Sequence, residues 1–113
     1  MDKIALYRKY IEEVMNVYGN ETPAGKDVVY QQVFDRQNDH YYLMRIGWIG
    51  QTRIHNCVFH CDIINNKIWI QEDWTERGIA NEFLERGITK PDIVLAFNPP
   101  YIRQIAGGAY AVE

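Results

Sequence analysis

The sequence predicts an α+β domain, in which a meandering antiparallel β-sheet of about four to five strands is flanked by an N-terminal helix and a second helix near residues 76–86. Three observations predict this class. Apolar residues recur at helical spacing near the N-terminus, they alternate with polar residues between positions 28 and 72, and helical spacing returns after position 76. At 113 residues, the chain is predicted to form one domain over residues 1–113.

The stretch DKIALYRKYIEEVMNVYG predicts an amphipathic helix. Its apolar side chains recur at three- or four-residue spacing along one face, and they are Ile4, Tyr7, Ile11, Val14, Met15 and Tyr18. Gly19 is expected to end this helix in the left-handed conformation that glycine adopts easily. The following stretch, NETPAGKD, has the composition of a loop.

Four strands are predicted after this loop, near residues 28–36, 40–49, 53–64 and 67–72. Gly50-Gln51 and Asn65-Asn66 suit two-residue hairpin turns, because Gly and Asn tolerate the positive φ that such turns need. Residues 37–39 suit a three-residue connection between the first two strands.

The second helix is expected to run from about Glu76 to Arg86, with Asp73 or Thr75 as its cap and Gly87 at its end. The apolar stretch IVLAF predicts a further short strand or buried segment. The final stretch, NPPYIRQIAGGAYAVE, shows no regular pattern and is expected to be an ordered loop.

Successive side chains of a strand point to opposite faces of a sheet. Uninterrupted pairing through the predicted turns places one set of side chains on the face that the helices would cover. That predicted core set is Tyr30, Phe34, Tyr42, Met44, Ile46, Trp48, Cys57, Phe59, Cys61, Ile63, Ile68 and Ile70. The two cysteines are therefore expected to serve as small hydrophobic core residues.

The stretch RIHNCVFHCDI holds two histidines and both cysteines, and it raises the question of a metal or thiol site. Strand alternation turns His60 away from both cysteines, whereas a zinc site needs four groups at about 2.0–2.3 Å from one point. An approach of His40 to Cys61 leaves a three-ligand site as an alternative. A disulfide between Cys57 and Cys61 is disfavoured, since four residues along a strand separate the Cα atoms by about 13 Å.

The residues give little indication of an enzyme. The sequence contains no serine, which excludes serine-based triads, and Gly107-Gly108 lacks the strand, lysine and helix of a phosphate-binding loop. A magnesium-dependent nuclease cluster of Asp62, Glu72 and Asp73 is an alternative, although the last two point to opposite sides of a continuing strand. We therefore expect no catalytic residues, no metal and no cofactor.

The formal charge of −3, with 12 Lys and Arg residues scattered along the chain, disfavours direct DNA binding. Proteins that bind DNA gain most of their affinity from basic side chains that neutralise phosphates. The chain also lacks a stretch long enough to span a membrane and a cleavable signal pattern, so the expected location is cytoplasmic.

The sheet face opposite the predicted core mixes aromatic, arginine and amide side chains, as protein–protein contacts do. We predict that this face binds a partner. The predicted contact residues are Tyr41, Arg45, His60, Asp62, Trp69 and Gln71. Three alternatives are a cover formed by the N-terminal helix or C-terminal tail, a small-molecule pocket centred on His60, and self-pairing in a two-fold homo-oligomer.

Nearly the whole chain resembles the XisI-like proteins, the fdxN element excision controlling factors. The resemblance lies in MDKIALYRKYIEEVMNVYG, in YLMRIGWIG with its Gly47-Trp48 pair, in KIWIQ, in GIANEFLERGI and in IVLAFNPPYIRQ. The order and spacing of these stretches are specific, although none is chemically diagnostic alone. Cys61 and Asn98 depart from the family pattern, in which an aliphatic residue and a histidine are expected.

The resemblance implies a non-enzymatic accessory factor for programmed excision of a DNA element during cyanobacterial heterocyst differentiation. It further implies contact with a companion XisH-like protein, while a separate site-specific recombinase performs strand exchange. The family supplies no established catalytic residues. The alternative functions are a direct DNA-binding accessory factor and a metal-dependent nuclease.

Overall fold

The computed structural model describes residues 2–106 and 108–113 and confirms the α+β class, while Gly107 of the Gly107-Gly108 pair lies outside the described residues. The elements in chain order are α1 (Lys3–Gly19), β1 (Val28–Asp35), β2 (His40–Ile49), β3 (Thr52–Ile64), β4 (Lys67–Asp73), α2 (Ile79–Glu85), a 3-10 turn (Lys90–Asp92), β5 (Ile93–Leu95) and α3 (Pro100–Ala106). The five strands form one sheet in sequence order. Because β5 runs parallel to β4, the sheet is mixed rather than purely antiparallel.

Helix α1 forms where its apolar periodicity predicts it. Its first turn is capped by Asp2, whose Oδ1 accepts a hydrogen bond of 2.8 Å from the backbone N–H of Ala5. The apolar face of α1 packs on the sheet beside α2, and its buried residues are Tyr7, Ile11, Val14 and Met15. The helix therefore covers one face of the sheet, as its stripe requires.

The two predicted helix stops differ in outcome. Gly87 follows α2 with a φ of 99°, which confirms the predicted left-handed stop. Helix α1 ends at Gly19, but the left-handed stop there is wrong, because the cap is Asn20 with a right-handed φ of −92°. The small size of Gly19 instead admits Gln32, whose side-chain nitrogen would lie 2.6 Å from an added Cβ.

The short turns of the sheet were predictable and the longer one was not. Gly50-Gln51 and Asn65-Asn66 form the two predicted hairpin turns, and both asparagines have positive φ, 51° and 64°. The predicted connection between β1 and β2 is wrong by one residue. Asp35 pairs with His40, so that four residues, 36–39, form the connection.

A β-bulge at Val58 shifts the register between β2 and β3. Met44 pairs with Cys57, as uninterrupted pairing from the turn predicts, but Leu43 pairs with Phe59 instead of continuing that register. A bulge places two residues of one strand opposite one of the other, and it changes which side chains share a face. Cys57 and Phe59 consequently point to opposite sides of the sheet.

These shifts reverse the predicted faces of β2. The predicted core residues that are buried or packed against the core are Tyr30, Phe34, Phe59, Cys61, Ile63, Ile68 and Ile70. The prediction is wrong for five residues outside the core, which are Tyr42, Met44, Ile46, Trp48 and Cys57. Tyr41 and Leu43 are fully buried in their place, since a one-residue slip turns every side chain of a strand to the other face.

Helix α2 begins at Ile79, later than the predicted start at Glu76. The predicted N-cap, Asp73 or Thr75, is wrong, because Gly78 occupies that position and has no side-chain cap hydrogen bond. Asp73 nevertheless reaches the first residue of the helix. Its Oδ2 accepts from the backbone N–H of Ile79 at 2.9 Å, and its Oδ1 accepts from the backbone N–H of Thr75 at 2.9 Å. Both carboxylate oxygens of Asp73 therefore accept hydrogen bonds from the backbone at or just before the start of α2.

The C-terminal stretch contains more regular structure than its sequence suggested. The predicted short strand forms as β5, but the expected loop after it is wrong, because Pro100–Ala106 is helix α3. Arg103 of α3 donates to the carbonyl oxygens of Asn98 and Val112 at 2.9 Å and 2.7 Å, which ties the helix to the tail. None of the helices in the described residues is long and apolar enough to cross a membrane.

Candidate functional site

Asp62 is the centre of a polar cluster on the sheet face opposite α1 and α2, which we call the open face. It lies on β3 and is only 6% exposed, although it belongs to the face that the two helices leave open. Strand alternation places His60 on the same face as Asp62, and antiparallel pairing places His40 of β2 directly opposite Asp62. We call these three residues the His–Asp–His cluster.

The side chains of the His–Asp–His cluster converge on one oxygen atom. Oδ1 of Asp62 lies 2.8 Å from Nδ1 of His40 and 2.7 Å from Nε2 of His60. Each neutral imidazole carries one N–H, so both rings can donate to this oxygen without being protonated. The three ligand atoms all lie within 4.8 Å of one another, and the two imidazole nitrogens and carboxylate oxygen are donors that a transition metal accepts.

Two further side chains hold the cluster in place. The ring of Tyr42 stacks on the ring of His60, with centroids 4.1 Å apart and an interplanar angle of 29°. Gln71 donates from Nε2 to Oδ2 of Asp62 at 3.2 Å. Asp62 therefore receives hydrogen bonds on both oxygens, as a nearly buried carboxylate requires.

A second β-bulge lies at Gln71. Cys61 pairs with Ile70, as predicted, but His60 pairs with Glu72, which leaves Gln71 as the extra residue. Bulges commonly redirect a side chain next to a functional site.

Asp62 also affects the ionisation of its neighbour. The hydrogen bond from His40 to Asp62 raises the pKa of His40 above its ordinary value, because the carboxylate stabilises the imidazolium. His40 is the exposed member of the cluster, with 44% of its side chain accessible. The cluster thus has a buried carboxylate and an outer edge that faces solvent.

The structure places four of the six predicted contact residues on the predicted face and the other two on the opposite face. His60, Asp62, Trp69 and Gln71 lie on or beside the open face, as predicted. The placement of Tyr41 is wrong: it is fully buried, and its hydroxyl donates to Oδ1 of Asp39 at 3.0 Å.

The predicted placement of Arg45 is also wrong, because the one-residue shift in the register of β2 turns it to the other face. Arg45 pairs with Tyr30 and Asn56, and it shares with Tyr30 the side of the sheet that carries the core. His40, in contrast, was missing from the predicted contact residues. The four-residue β1–β2 connection pairs Asp35 with His40 and so turns His40 toward the open face, and the sequence holds no local signal for the extra residue.

The open face also exposes apolar side chains. Val29 and Val33 of β1 are 60% and 39% exposed, and their partners on β2 are Ile46 and Tyr42. Together with Met44 and Trp69, these residues extend an apolar surface along the strands from the His–Asp–His cluster. The residues of the open face that matter below are Val29, Val33, His40, Tyr42, Met44, Ile46, His60, Asp62, Trp69 and Gln71.

Helix α3 contacts one edge of the open face. The guanidinium of Arg103 lies 5.8 Å from the ring centroid of Trp69, within the range of a cation–π interaction. The indole nitrogen of Trp69 is buried without a hydrogen-bond partner among the described residues. A groove of about 460 Å³ runs beside His60, and Gln71, Glu72 and Phe97 contribute to its lining.

The two cysteines are free thiols, and their reactivity is low. Burial raises the pKa of Cys57 to about 11, with Glu72 adding to the shift, and complete burial raises the pKa of Cys61 well above its ordinary value. Both are therefore thiols rather than nucleophilic thiolates at neutral pH. The expectation that both face the core is wrong for Cys57, which the bulge at Val58 turns away from the core.

Two of the acidic residues considered for a nuclease site are engaged in other hydrogen bonds. Asp73 accepts from the backbone N–H groups of Thr75 and Ile79, and Asp62 accepts from two histidines and Gln71. In the part of the chain that the structure describes, the group suited to a metal is the His–Asp–His cluster, not Asp62 with Glu72 and Asp73.

Comparison with known proteins decides the family. The family model for the XisI protein matches residues 1–112. The chain belongs to the XisI protein family. The resemblance found in the sequence is thereby confirmed.

Two solved structures share the fold of this XisI family member. A XisI-like protein from Anabaena variabilis ATCC 29413 is 34% identical, with 97% of this chain and 99% of that chain covered and a TM-score of 0.90. The fdxN element excision controlling factor XisI from Anabaena variabilis ATCC 29413 is also 34% identical, with 99% and 100% covered and a TM-score of 0.84. A comparison with curated proteins gives no match.

The XisI family is named for an excision controlling factor, which describes a regulatory role.

Proposed function

We propose that this XisI protein is a non-enzymatic controlling factor for programmed excision of an fdxN-type DNA element in cyanobacterial heterocyst differentiation. It acts by protein–protein contact with a companion XisH-like protein, and a separate site-specific recombinase performs strand exchange. The role requires work beside the bacterial chromosome, hence in the cytoplasm. Two free thiols agree with that reducing compartment.

The open face is the observation that supports this proposal. It combines exposed valines, a stacked Tyr–His pair and a partly covered tryptophan around a polar centre. Surfaces of this composition occur at protein interfaces, where aromatic residues contribute most of the binding free energy. An apolar patch with a polar centre is unusual on a surface that stays in water.

The chemistry of the site also favours a binding role. The cysteines are protonated at neutral pH, and the carboxylates of Asp62 and Asp73 are occupied by hydrogen bonds within the chain. A nucleophile or general base would need a free, activated group.

A binding experiment with two valine variants tests the proposal. The purified companion XisH-like protein is titrated with the native chain, with Val33→Glu and with Val17→Glu. Val33 is 39% exposed on the open face, whereas Val17 is 48% exposed on α1. Because a buried, unpaired carboxylate opposes association, Val33→Glu should weaken binding at least about tenfold while Val17→Glu leaves it unchanged.

Other outcomes would point to other functions. Equal binding by both variants would remove the open face from the proposal. Binding to element-end DNA that falls steeply with salt would favour the DNA-binding alternative, since phosphate contacts release counterions. A concentration-dependent mass in sedimentation that Val33→Glu abolishes would identify a second copy of the chain as the occupant of the face.

A further inference from the structure

We propose that His40, His60 and Asp62 bind a divalent first-row transition metal ion, with Zn²⁺ as its representative. The proposal rests on the convergence of two imidazole nitrogens and one carboxylate oxygen within 4.8 Å. It does not depend on the companion protein or on the role in excision.

The spacing of the three ligand atoms suits a metal ion. Ligands at about 2.0–2.1 Å from a tetrahedral Zn²⁺ lie about 3.3–3.5 Å from each other. Oδ1 of Asp62 lies 2.8 Å from His40 and 2.7 Å from His60. Small rotations of the two imidazole rings would open these separations to those of a coordinated ion.

The ligands are carried by rigid elements and oriented by other side chains. All three lie on β2 and β3, which are paired interior strands of the five-stranded sheet. Tyr42 stacks on His60, and Gln71 holds the second oxygen of Asp62 at 3.2 Å. Groups that hydrogen-bond to metal ligands fix their orientation and commonly raise metal affinity.

The donor set selects the kind of metal. Two imidazoles with one carboxylate suit Zn²⁺, Co²⁺ or Ni²⁺, whereas Ca²⁺ and Mg²⁺ prefer sites built from oxygen ligands alone. Three protein ligands leave a tetrahedral ion one open position. That position faces outward, because His40 lies at the exposed edge of the cluster with 44% of its side chain accessible.

The outward position gives the metal a place on the open face. With the ion bound, a water molecule would fill it in the isolated chain, and a donor side chain of a bound partner could replace that water. The metal would then link the buried carboxylate of Asp62 to whatever protein covers the face.

Calorimetry on the full, untagged chain tests the proposal. After dialysis against a chelator, the protein is titrated with Zn²⁺, and in parallel with Co²⁺, whose visible absorption reports tetrahedral coordination. We expect one equivalent to bind. His40→Gln and Asp62→Asn should each weaken binding by about 100-fold or more, because loss of a direct ligand exceeds the 10–100-fold effect of losing a supporting residue.

Two further variants sharpen the experiment. His55→Gln is the matched control, because His55 is exposed on the same strand and lies outside the cluster. It should bind Zn²⁺ as the native chain does. Gln71→Leu should weaken binding by about 10–100-fold, as expected for the group that orients Asp62.

Absence of Zn²⁺ and Co²⁺ binding to the native chain would overturn the proposal, and so would equal losses in His40→Gln and His55→Gln. Circular dichroism checks that each variant is folded. His40→Gln keeps the test decisive if Asp62→Asn does not fold, because the side chain of His40 is partly exposed whereas Asp62 is buried. A chain that binds Zn²⁺ but no companion would retain the metal site and refute only the proposed function.

Discussion

The backbone of Asp27 approaches Gly47 so closely that a Cβ on Gly47 would lie 2.0 Å from the carbonyl oxygen of Asp27. The same oxygen accepts a hydrogen bond of 3.1 Å from the backbone N–H of Trp48. The Gly47-Trp48 pair, which the sequence shares with the XisI pattern, therefore marks the point where the segment before β1 closes onto β2.

This contact predicts a large cost for Gly47→Ala. The new methyl group must displace backbone, and Gly47 has a φ of 152° that other residues rarely adopt. We expect the free energy of unfolding to fall by about 2–4 kcal/mol in urea denaturation.

Gly50→Ala is the matched control for this prediction. Gly50 has a positive φ of 60°, but an added Cβ would meet no atom within 4 Å. Only the backbone strain remains, so we expect a loss of about 1–2 kcal/mol. Equal losses in the two variants would refute the steric role of Gly47.

A pair of neighbouring alanine variants tests the register of β2. Leu43 is fully buried and Met44 is partly exposed. Leu43→Ala should lower the free energy of unfolding by about 2–5 kcal/mol, because it leaves a cavity in the core. Met44→Ala should cost less than about 1 kcal/mol. Denaturant titrations that rank the two variants in the opposite order would favour uninterrupted pairing.

The ion pair between Arg8 and Asp39 predicts a pH dependence of stability. Nε and Nη2 of Arg8 lie 2.7 Å and 3.0 Å from the two carboxylate oxygens of Asp39. Hydrogen bonding to Arg8 holds the pKa of Asp39 below its ordinary 3.8. A lowered pKa means that the carboxylate stabilises the folded state above pH 3.8, and that this contribution is lost as the pH falls through the pKa of the folded state.

We therefore expect Asp39→Asn to be less stable than the native chain at neutral pH, and the difference to shrink in acid. Asparagine tolerates the left-handed φ of 58° at this position, so the backbone is not strained by the change. Thermal melting at a series of pH values measures the difference. A gap between the two proteins that stays constant as Asp39 titrates would contradict the prediction.

Trp69→Ala should weaken association with the companion protein by about 1–3 kcal/mol, the usual loss at an aromatic interface residue. Trp69 lies beside Asp62 on the open face and under Arg103. Calorimetric titration measures the change. Val17→Ala, at a residue of α1 that is 48% exposed and lies outside the open face, is the control. An unchanged association constant for Trp69→Ala would exclude Trp69 from the surface that binds the companion protein.

The sequence by itself determined the family and the order of the elements as far as β5, but not helix α3. Helix α1 and both two-residue turns follow from interactions within a few residues of each position. Apolar periodicity and positive φ at Gly and Asn are properties of the local chain. Even Gln71 was assigned to the side of Asp62, because β4 alternates regularly up to its bulge.

Only the tertiary structure decided which residues meet. The extra residue in the β1–β2 connection and the bulge at Val58 carry no local signal, because bulges form where packing on both sides of the sheet favours them. These two single-residue shifts buried Tyr41 and turned His40 toward Asp62. A strand alternates with a period of two, so one residue of register separates a core side chain from a member of the His–Asp–His cluster.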